Sequence, residues 1–232
     1  MSIEVGGFFM TIKGCVLIHG FTGSPAEIEI LAKHLKNKGM LVSTPVLAGH
    51  DYTLNRKEMR SVTWQDWLDS AEKVIIEMQS QVDELYLIGF SMGGIIASYL
   101  STKYRVKKLV LLSASVLYLK PKSFVRDLIQ KPLTKSQFNR YLHKIKETPF
   151  KATLNFRKLV KELVPYLKHV NTPTLIIQGE MDDLVDPKSA QYIYDTIRSN
   201  EKYLYFLPKS KHVICLDCEK EKVVELTDKF FR

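Results

Sequence analysis

The chain has 232 residues, of which 45% are hydrophobic, and a formal net charge of +9; this length and composition fit one soluble domain with a single core. No apolar run approaches the roughly 18 residues of a membrane span, and no signal-peptide pattern is present, so we expect a cytoplasmic protein without stable membrane insertion. Three cysteines are too few for a disulfide framework or for a zinc site of about four ligands, and we predict neither.

The positive charge is concentrated in one part of the chain. Residues 116–171 hold 13 Lys and Arg against 3 acidic residues, so the remainder is close to neutral. These basic residues are scattered among apolar ones, without a recognition helix, a zinc finger or an aromatic RNA-binding signature. We interpret them as solvated side chains on the outer faces of helices, and we predict no nucleic-acid partner.

Strands alternate with helices along most of the chain, which predicts a parallel sheet covered by helices on both faces. The short apolar runs between the helices are typical of strands that are buried on both sides. The predicted fold is therefore an α/β fold with a mostly parallel, doubly wound sheet. In chain order we predict strand 14–20, helix 24–39, strand 40–47, helix 63–81, strand 84–90, helix 92–104, strand 106–114, strand 172–180, a helix at about 187–198, strand 202–208 and a helix at about 218–231.

The alternation fails between residues 116 and 171, where only helix-like stretches and prolines occur. We predict that this segment is a small helical cap, inserted before the penultimate strand between core segments 1–115 and 172–232. Its apolar residues at helical spacing either face the site beneath a lid or pack only against one another and the core. These residues are Phe124, Leu128, Ile129, Phe138, Leu142 and Ile145.

The stretch GFSMGG places Ser91 between a predicted strand and a predicted helix. A turn this abrupt forces the intervening residue into an uncommon backbone conformation, and the absent side chains of Gly89 and Gly93 leave room for it. Ser91 is thereby exposed above the carboxyl ends of the strands, where open parallel sheets bind ligands. This context makes Ser91 a candidate nucleophile.

A serine hydroxyl becomes a good nucleophile when a histidine takes its proton and a carboxylate orients that histidine. The partners should follow later strands in the order acid, then histidine, and His212 lies directly after the last predicted strand. Asp182 is the first aspartate after strand 172–180 and is the preferred acid. Asp183 is the alternative, because a shift of one residue in the turn would exchange the two, whereas Asp186 before Pro187 suits a helix N-cap.

Acyl transfer also needs donors for the oxyanion of the tetrahedral intermediate. The loop HGFTG follows the strand at 14–20, and its two glycines allow the backbone amide of Phe21 to face the site. The second predicted donor is the amide of Met92, at the start of the helix after Ser91.

The motifs HGFTG, GFSMGG, GEMDDLVDP and KSKHVICLD, in this order and spacing, resemble those of the small bacterial carboxylesterases of the α/β-hydrolase fold, close to the monoacylglycerol lipase group. The resemblance covers nearly the whole chain and is weakest in the insertion. It implies a core of eight strands or slightly fewer with a small helical cap, a triad that maps onto Ser91, Asp182 and His212, and oxyanion donors at Phe21 and Met92.

We therefore expect a serine hydrolase that cleaves small-molecule carboxylic esters of short to medium acyl length, with monoacylglycerols among the candidates. No cofactor is implied, and the expected state is a monomer or a homodimer. Two alternatives remain open. One is the same triad acting on thioesters, amides or carbon-carbon bonds, and the other is a receptor that binds a small ligand without turnover.

Overall fold

The computed structural model describes residues 3–5, 8–50, 59–117 and 150–232. A short antiparallel hairpin comes first, formed by β1 (Ile3–Val5) and β2 (Phe8–Met10). Within the described ranges the main sheet has six strands, which all run parallel in the order β4-β3-β5-β6-β7-β8. They are β3 (Lys13–Ile18), β4 (Leu41–Ser43), β5 (Glu84–Phe90), β6 (Lys108–Leu112), β7 (Thr174–Gly179) and β8 (Lys202–Leu207).

The helices alternate with these strands. The 3-10 helix Pro25–Ile28 directly precedes the α-helix Glu29–Asn37, and the 3-10 helix Val164–His169 directly follows the α-helix Phe150–Leu163. The α-helices are α1 (Glu29–Asn37), α2 (Trp64–Gln79), α3 (Met92–Lys103), α4 (Phe150–Leu163), α5 (Lys188–Thr196) and α6 (Lys220–Phe231).

The four inner strands, β3, β5, β6 and β7, are buried on both faces because their side chains alternate between two apolar clusters. In β3, Val16 and Ile18 join the cluster that contains α2, α3, α4 and α5. Cys15 and Leu17 point the other way, into the cluster that contains α1 and α6. This two-sided burial explains the unbroken apolar runs of the sequence.

Helix α2 shows how the sequence pattern produces one element. Its N-terminus is closed by a capping box, in which the Thr63 hydroxyl accepts from the Asp66 amide and the Asp66 carboxylate accepts from the Thr63 amide. This arrangement satisfies amides that lack an intrahelical acceptor. One apolar stripe then faces the sheet. Its buried members are Trp67, Leu68, Ala71, Ile75 and Met78.

The α/β fold class predicted from the sequence is confirmed, and two details differ. The hairpin of β1 and β2 was not predicted. The strand predicted at 40–47 is limited to β4, because Pro45 has no amide hydrogen and the Leu47 amide donates to His19 Nε2, 3.1 Å away, instead of to a neighbouring strand.

Residues 116–171, the predicted cap, are described only in part. The six apolar residues expected to face the site from this segment lie outside the described residues, so the cap and the division into core segments stay predictions. Within the described part, α4 packs against the core through Ala152, Phe156 and Leu159. No helix in the described ranges is long and apolar enough to cross a membrane.

Candidate active site

Ser91 occupies a sharp turn between β5 and α3. Its backbone φ of 54° and ψ of −116° lie where residues other than glycine are rarely found. A Cβ on Gly89 would collide with the Gly93 carbonyl, and a Cβ on Gly93 would collide with the Ile18 carbonyl. The two glycines therefore allow the close approach of strand, turn and helix that the sequence motif predicts.

Adjacent strands bring distant residues to the same edge of the sheet. Ser91 follows β5, Asp182 follows β7 and His212 follows β8. The imidazole of His212 lies between the other two side chains: its Nε2 is 3.0 Å from Ser91 Oγ, and its Nδ1 is 2.8 Å from Asp182 Oδ2. The structure thus brings together the three side chains that sequence reasoning selected.

The carboxylate of Asp182 is fully enclosed and accepts hydrogen bonds at both oxygens. Oδ1 accepts from the amides of Leu184 and Val185, each at 2.9 Å. Oδ2 accepts from Gln178 Nε2 at 2.8 Å in addition to its contact with His212. Asp183, the alternative acid, is exposed to solvent instead. Asp186 accepts from the Lys188 amide at 2.9 Å, as a residue at the start of a helix does.

The loop that carries His212 is fixed by two carboxylates from the segment just before α6. Glu219 Oε2 accepts from the Lys209 amide at 2.9 Å and from the Ser210 hydroxyl at 2.8 Å. Asp217 Oδ2 accepts from the Lys211 amide at 2.7 Å, and this backbone hydrogen bond lowers the pKa of the Asp217 carboxyl group. The residues before His212 are therefore held through their backbone.

The loop after β3 passes directly beside Ser91, since a Cβ on Gly20 would lie 3.2 Å from the Ser91 Cβ. Three of its amides have acceptors inside the protein: Gly20 donates to Glu27, Thr22 donates to His50, and Gly23 donates to the Gly20 carbonyl. The Phe21 amide has no acceptor within the described part of the chain. It is thus available to a ligand, as an oxyanion donor must be.

The Met92 amide is the other predicted donor. Met92 is the first residue of α3, and the first amides of a helix have no intrahelical acceptor. The positive end of the helix dipole also lies at this point, which favours a bound negative charge.

Two neutral histidines connect the loop after β3 to the loop after β4. The Leu47 amide donates to His19 Nε2 at 3.1 Å, so His19 carries its proton on Nδ1 and donates to the Gly20 carbonyl at 2.9 Å. The Thr22 amide donates to His50 Nε2 at 3.1 Å, so the His50 Nδ1 proton goes to the Ala48 carbonyl at 3.1 Å. Burial lowers the pKa of His19 to about 4, and the proximity of His50 adds to this shift because two protonated rings would repel each other.

Sequence reasoning missed further residues that contact this arrangement. Ser115 follows β6, and its Oγ is 2.7 Å from Ser91 Oγ. Gln178 is the penultimate residue of β7, and its Nε2 donates to Asp182 Oδ2. The available signal was their position, because β6 lies between β5 and β7 in the sheet and polar residues at its carboxyl end reach the same edge.

These features agree with a family model described as the alpha/beta hydrolase fold, which matches residues 16–158. The chain belongs to this family. A second model, described as serine aminopeptidase, S33, matches the shorter range 137–219.

The chain is also similar to individual proteins, among them two relatives and one solved structure. The chain is 27% identical over 233 residues to a thermostable monoacylglycerol lipase of Bacillus sp. (strain H-257), covering 94% of this chain and 90% of the relative. It is 24% identical over 220 residues to a carboxylesterase of Bacillus subtilis (strain 168), with 91% and 89% covered. A solved structure of the metagenome-derived lipolytic enzymes LipS and LipT superposes with a TM-score of 0.80 at 28% identity, covering 95% of this chain and 93% of that one.

Proposed function

We propose that this protein is a serine hydrolase that cleaves carboxylic esters through an acyl-enzyme on Ser91. The observation that carries the proposal is the continuous hydrogen-bonded line from Ser91 Oγ through His212 to Asp182, with contacts of 3.0 and 2.8 Å. The similarity of the chain to a monoacylglycerol lipase and a carboxylesterase supports esters as the substrate class.

In the acylation step, Ser91 Oγ attacks the ester carbonyl carbon while its proton passes to His212 Nε2. The carbonyl oxygen becomes negative and accepts hydrogen bonds from the amides of Phe21 and Met92. When the tetrahedral intermediate collapses, His212 gives the proton to the departing alcohol. Asp182 keeps the other imidazole proton on Nδ1 throughout and stabilises the imidazolium that forms.

In the deacylation step, water replaces the alcohol. His212 takes a proton from the water, which attacks the acyl-enzyme, and then returns the proton to Ser91 Oγ as the acid leaves. Acyl chains of short to medium length are the proposed range. A cytoplasmic location and a monomeric or homodimeric state remain predictions.

The test is hydrolysis of p-nitrophenyl esters of graded acyl length by the wild type and by Ser91→Ala. We expect the substitution to lower kcat roughly 10⁴-fold or more, because the nucleophile is removed. Ser98→Ala is the matched control, since Ser98 is also buried but its hydroxyl donates to the Gly94 carbonyl within α3. Equal activity of Ser91→Ala and the wild type would refute the role of Ser91.

Amide hydrolysis is a second candidate, favoured by one observation. The range matched by the serine aminopeptidase model, 137–219, includes both Asp182 and His212. Pairs of p-nitrophenyl esters and p-nitroanilides with the same acyl group distinguish the two reactions. Because activated esters are intrinsically more reactive than anilides, our proposal requires cleavage of the esters with no cleavage of the anilides above the uncatalysed rate. Enzymatic cleavage of the anilides would favour the second candidate.

A further inference from the structure

Ser115 lies against the proposed nucleophile in a buried position. Its Oγ is 2.7 Å from Ser91 Oγ, and its amide donates to the Ser91 carbonyl at 3.3 Å. Only 2% of Ser115 and 7% of Ser91 is exposed, so both hydroxyls are largely shielded from bulk water. The exposure of Ser91 that the sequence predicted is therefore wrong, although its place at the carboxyl ends of the strands is as expected. Because of this burial, a hydrogen bond between the two hydroxyls is stronger than the same contact in solvent.

The direction of this hydrogen bond follows from counting protons along the line. An ionised Asp182 can only accept, so the proton of His212 lies on Nδ1 and its Nε2 is an acceptor. The single proton of Ser91 is then directed to His212 Nε2. Ser91 Oγ has no second proton, so it accepts from Ser115, which is the donor of the 2.7 Å contact.

We infer that Ser115 is a further catalytic residue, whose hydroxyl donates a hydrogen bond to the reacting oxygen of Ser91. The inference rests on the proposed function, since it assumes that Ser91 Oγ forms and breaks the bond to the acyl group. With Ser115, the loop after β6 contributes a residue to the site, in addition to the loops after β5, β7 and β8.

The Ser115 hydrogen bond contributes most when Ser91 Oγ carries negative charge. As the Ser91 proton moves to His212 Nε2, negative charge develops on Oγ, and the Ser115 proton stays on Ser115 while its hydrogen bond strengthens. In deacylation the bond between the acyl carbon and Oγ breaks, and the same hydrogen bond stabilises the departing oxygen until His212 reprotonates it. Both steps should therefore depend on Ser115.

A neighbouring serine provides a matched control. Ser113 is fully buried, two residues earlier, and its hydroxyl has no hydrogen-bond partner among the described residues. Replacing Ser113 removes the same group from the same segment without removing a contact to Ser91.

The experiment measures two rate constants in Ser115→Ala, Ser115→Cys, Ser113→Ala, Ser113→Cys and Ser91→Ala. One is the rate constant of labelling by a fluorophosphonate, and the other is the steady-state kcat on p-nitrophenyl butyrate. Cysteine is a weak donor and is larger than serine, so Ser113→Cys serves as the control for the added size of a buried side chain. A Ser115 that only packs against its neighbours should behave in each variant like the equally buried Ser113, and a thermal unfolding scan verifies that each variant is folded.

We expect both Ser115 variants to lower both rate constants roughly 10- to 100-fold, the effect of one hydrogen bond to a charged group. Both Ser113 variants should stay within about twofold of the wild type, and if Ser115→Ala does not fold, Ser115→Cys carries the test. Ser115 variants as fast as their Ser113 counterparts, with Ser91→Ala inactive, would overturn the inference and leave the proposed function intact. An active Ser91→Ala would instead overturn the proposed function.

Discussion

At the scale of single residues, Asp182 is the most constrained member of the site. Its two oxygens receive two backbone amides, one side-chain amide and the His212 ring. These donors replace the water that would otherwise solvate the carboxylate, so the negative charge can persist in an enclosed position. The amides fix the carboxylate, and the carboxylate in turn fixes the imidazole.

The choice between Asp182 and Asp183 gives a sharp prediction. Asp182→Asn should lower kcat for ester hydrolysis roughly 10⁴-fold, because an amide cannot hold the imidazole in the required tautomer. Asp183→Asn changes the same kind of group one residue further on, at an exposed position, and should stay within about twofold of the wild type. Steady-state kinetics on a p-nitrophenyl ester give both values, and a larger loss in Asp183→Asn would contradict the assignment.

At the scale of elements, the loop after β3 depends on the loop after β4. His19 and His50 each accept an amide with one ring nitrogen and donate to a carbonyl with the other. A protonated imidazole cannot accept from an amide, so each contact requires a neutral ring. The ring centroids are 5.0 Å apart, so two charged rings would also repel each other. The loop that contains Phe21 is thus held by neutral imidazoles.

This connection predicts a pH-dependent stability. The pKa of His19 falls from 6.5 to about 4 in the folded chain, so the unfolded chain takes up the proton first as the pH is lowered. The stabilisation is complete above about pH 6.5 and is lost between about pH 6.5 and pH 4, by up to about 3 kcal/mol. Urea unfolding from pH 7.5 to pH 4 measures this loss.

The variant that tests the source of this effect is His19→Gln, which keeps a donor and an acceptor but does not titrate. Its free energy of unfolding should decline less than that of the wild type between pH 6.5 and pH 4. His169→Gln controls for the loss of an exposed histidine elsewhere. An identical decline in His19→Gln and the wild type would show that His19 is not the source.

At the scale of the whole molecule, the site exists because the sheet aligns residues far apart in sequence. The strands β5, β6, β7 and β8 are consecutive in the sheet, and the residues after them are Ser91, Ser115, Asp182 and His212. Gly179 allows the last two loops to meet, since a Cβ there would collide with the Ser210 carbonyl. Each side chain is positioned by the register of the strands as much as by its own loop.

Much of this arrangement could be predicted because its signals are local. The glycines around Ser91 mark a turn within one short motif, and Asp182 and His212 follow directly on apolar runs. The shortening of the strand at 40–47 could not be predicted, because it depends on the contact between Leu47 and His19, 28 residues apart. Ser115 was missed for the same reason, as its contact with Ser91 spans 24 residues and two strands.

The most direct test of the central claim, that Ser91 is the activated nucleophile, is the site of covalent labelling. The folded wild-type protein is treated with a fluorophosphonate, digested, and mapped by mass spectrometry. We predict one phosphonyl group per chain, on Ser91, with loss of ester hydrolysis in proportion to labelling. Labelling at another residue, or ester hydrolysis that persists in fully labelled protein, would contradict the account.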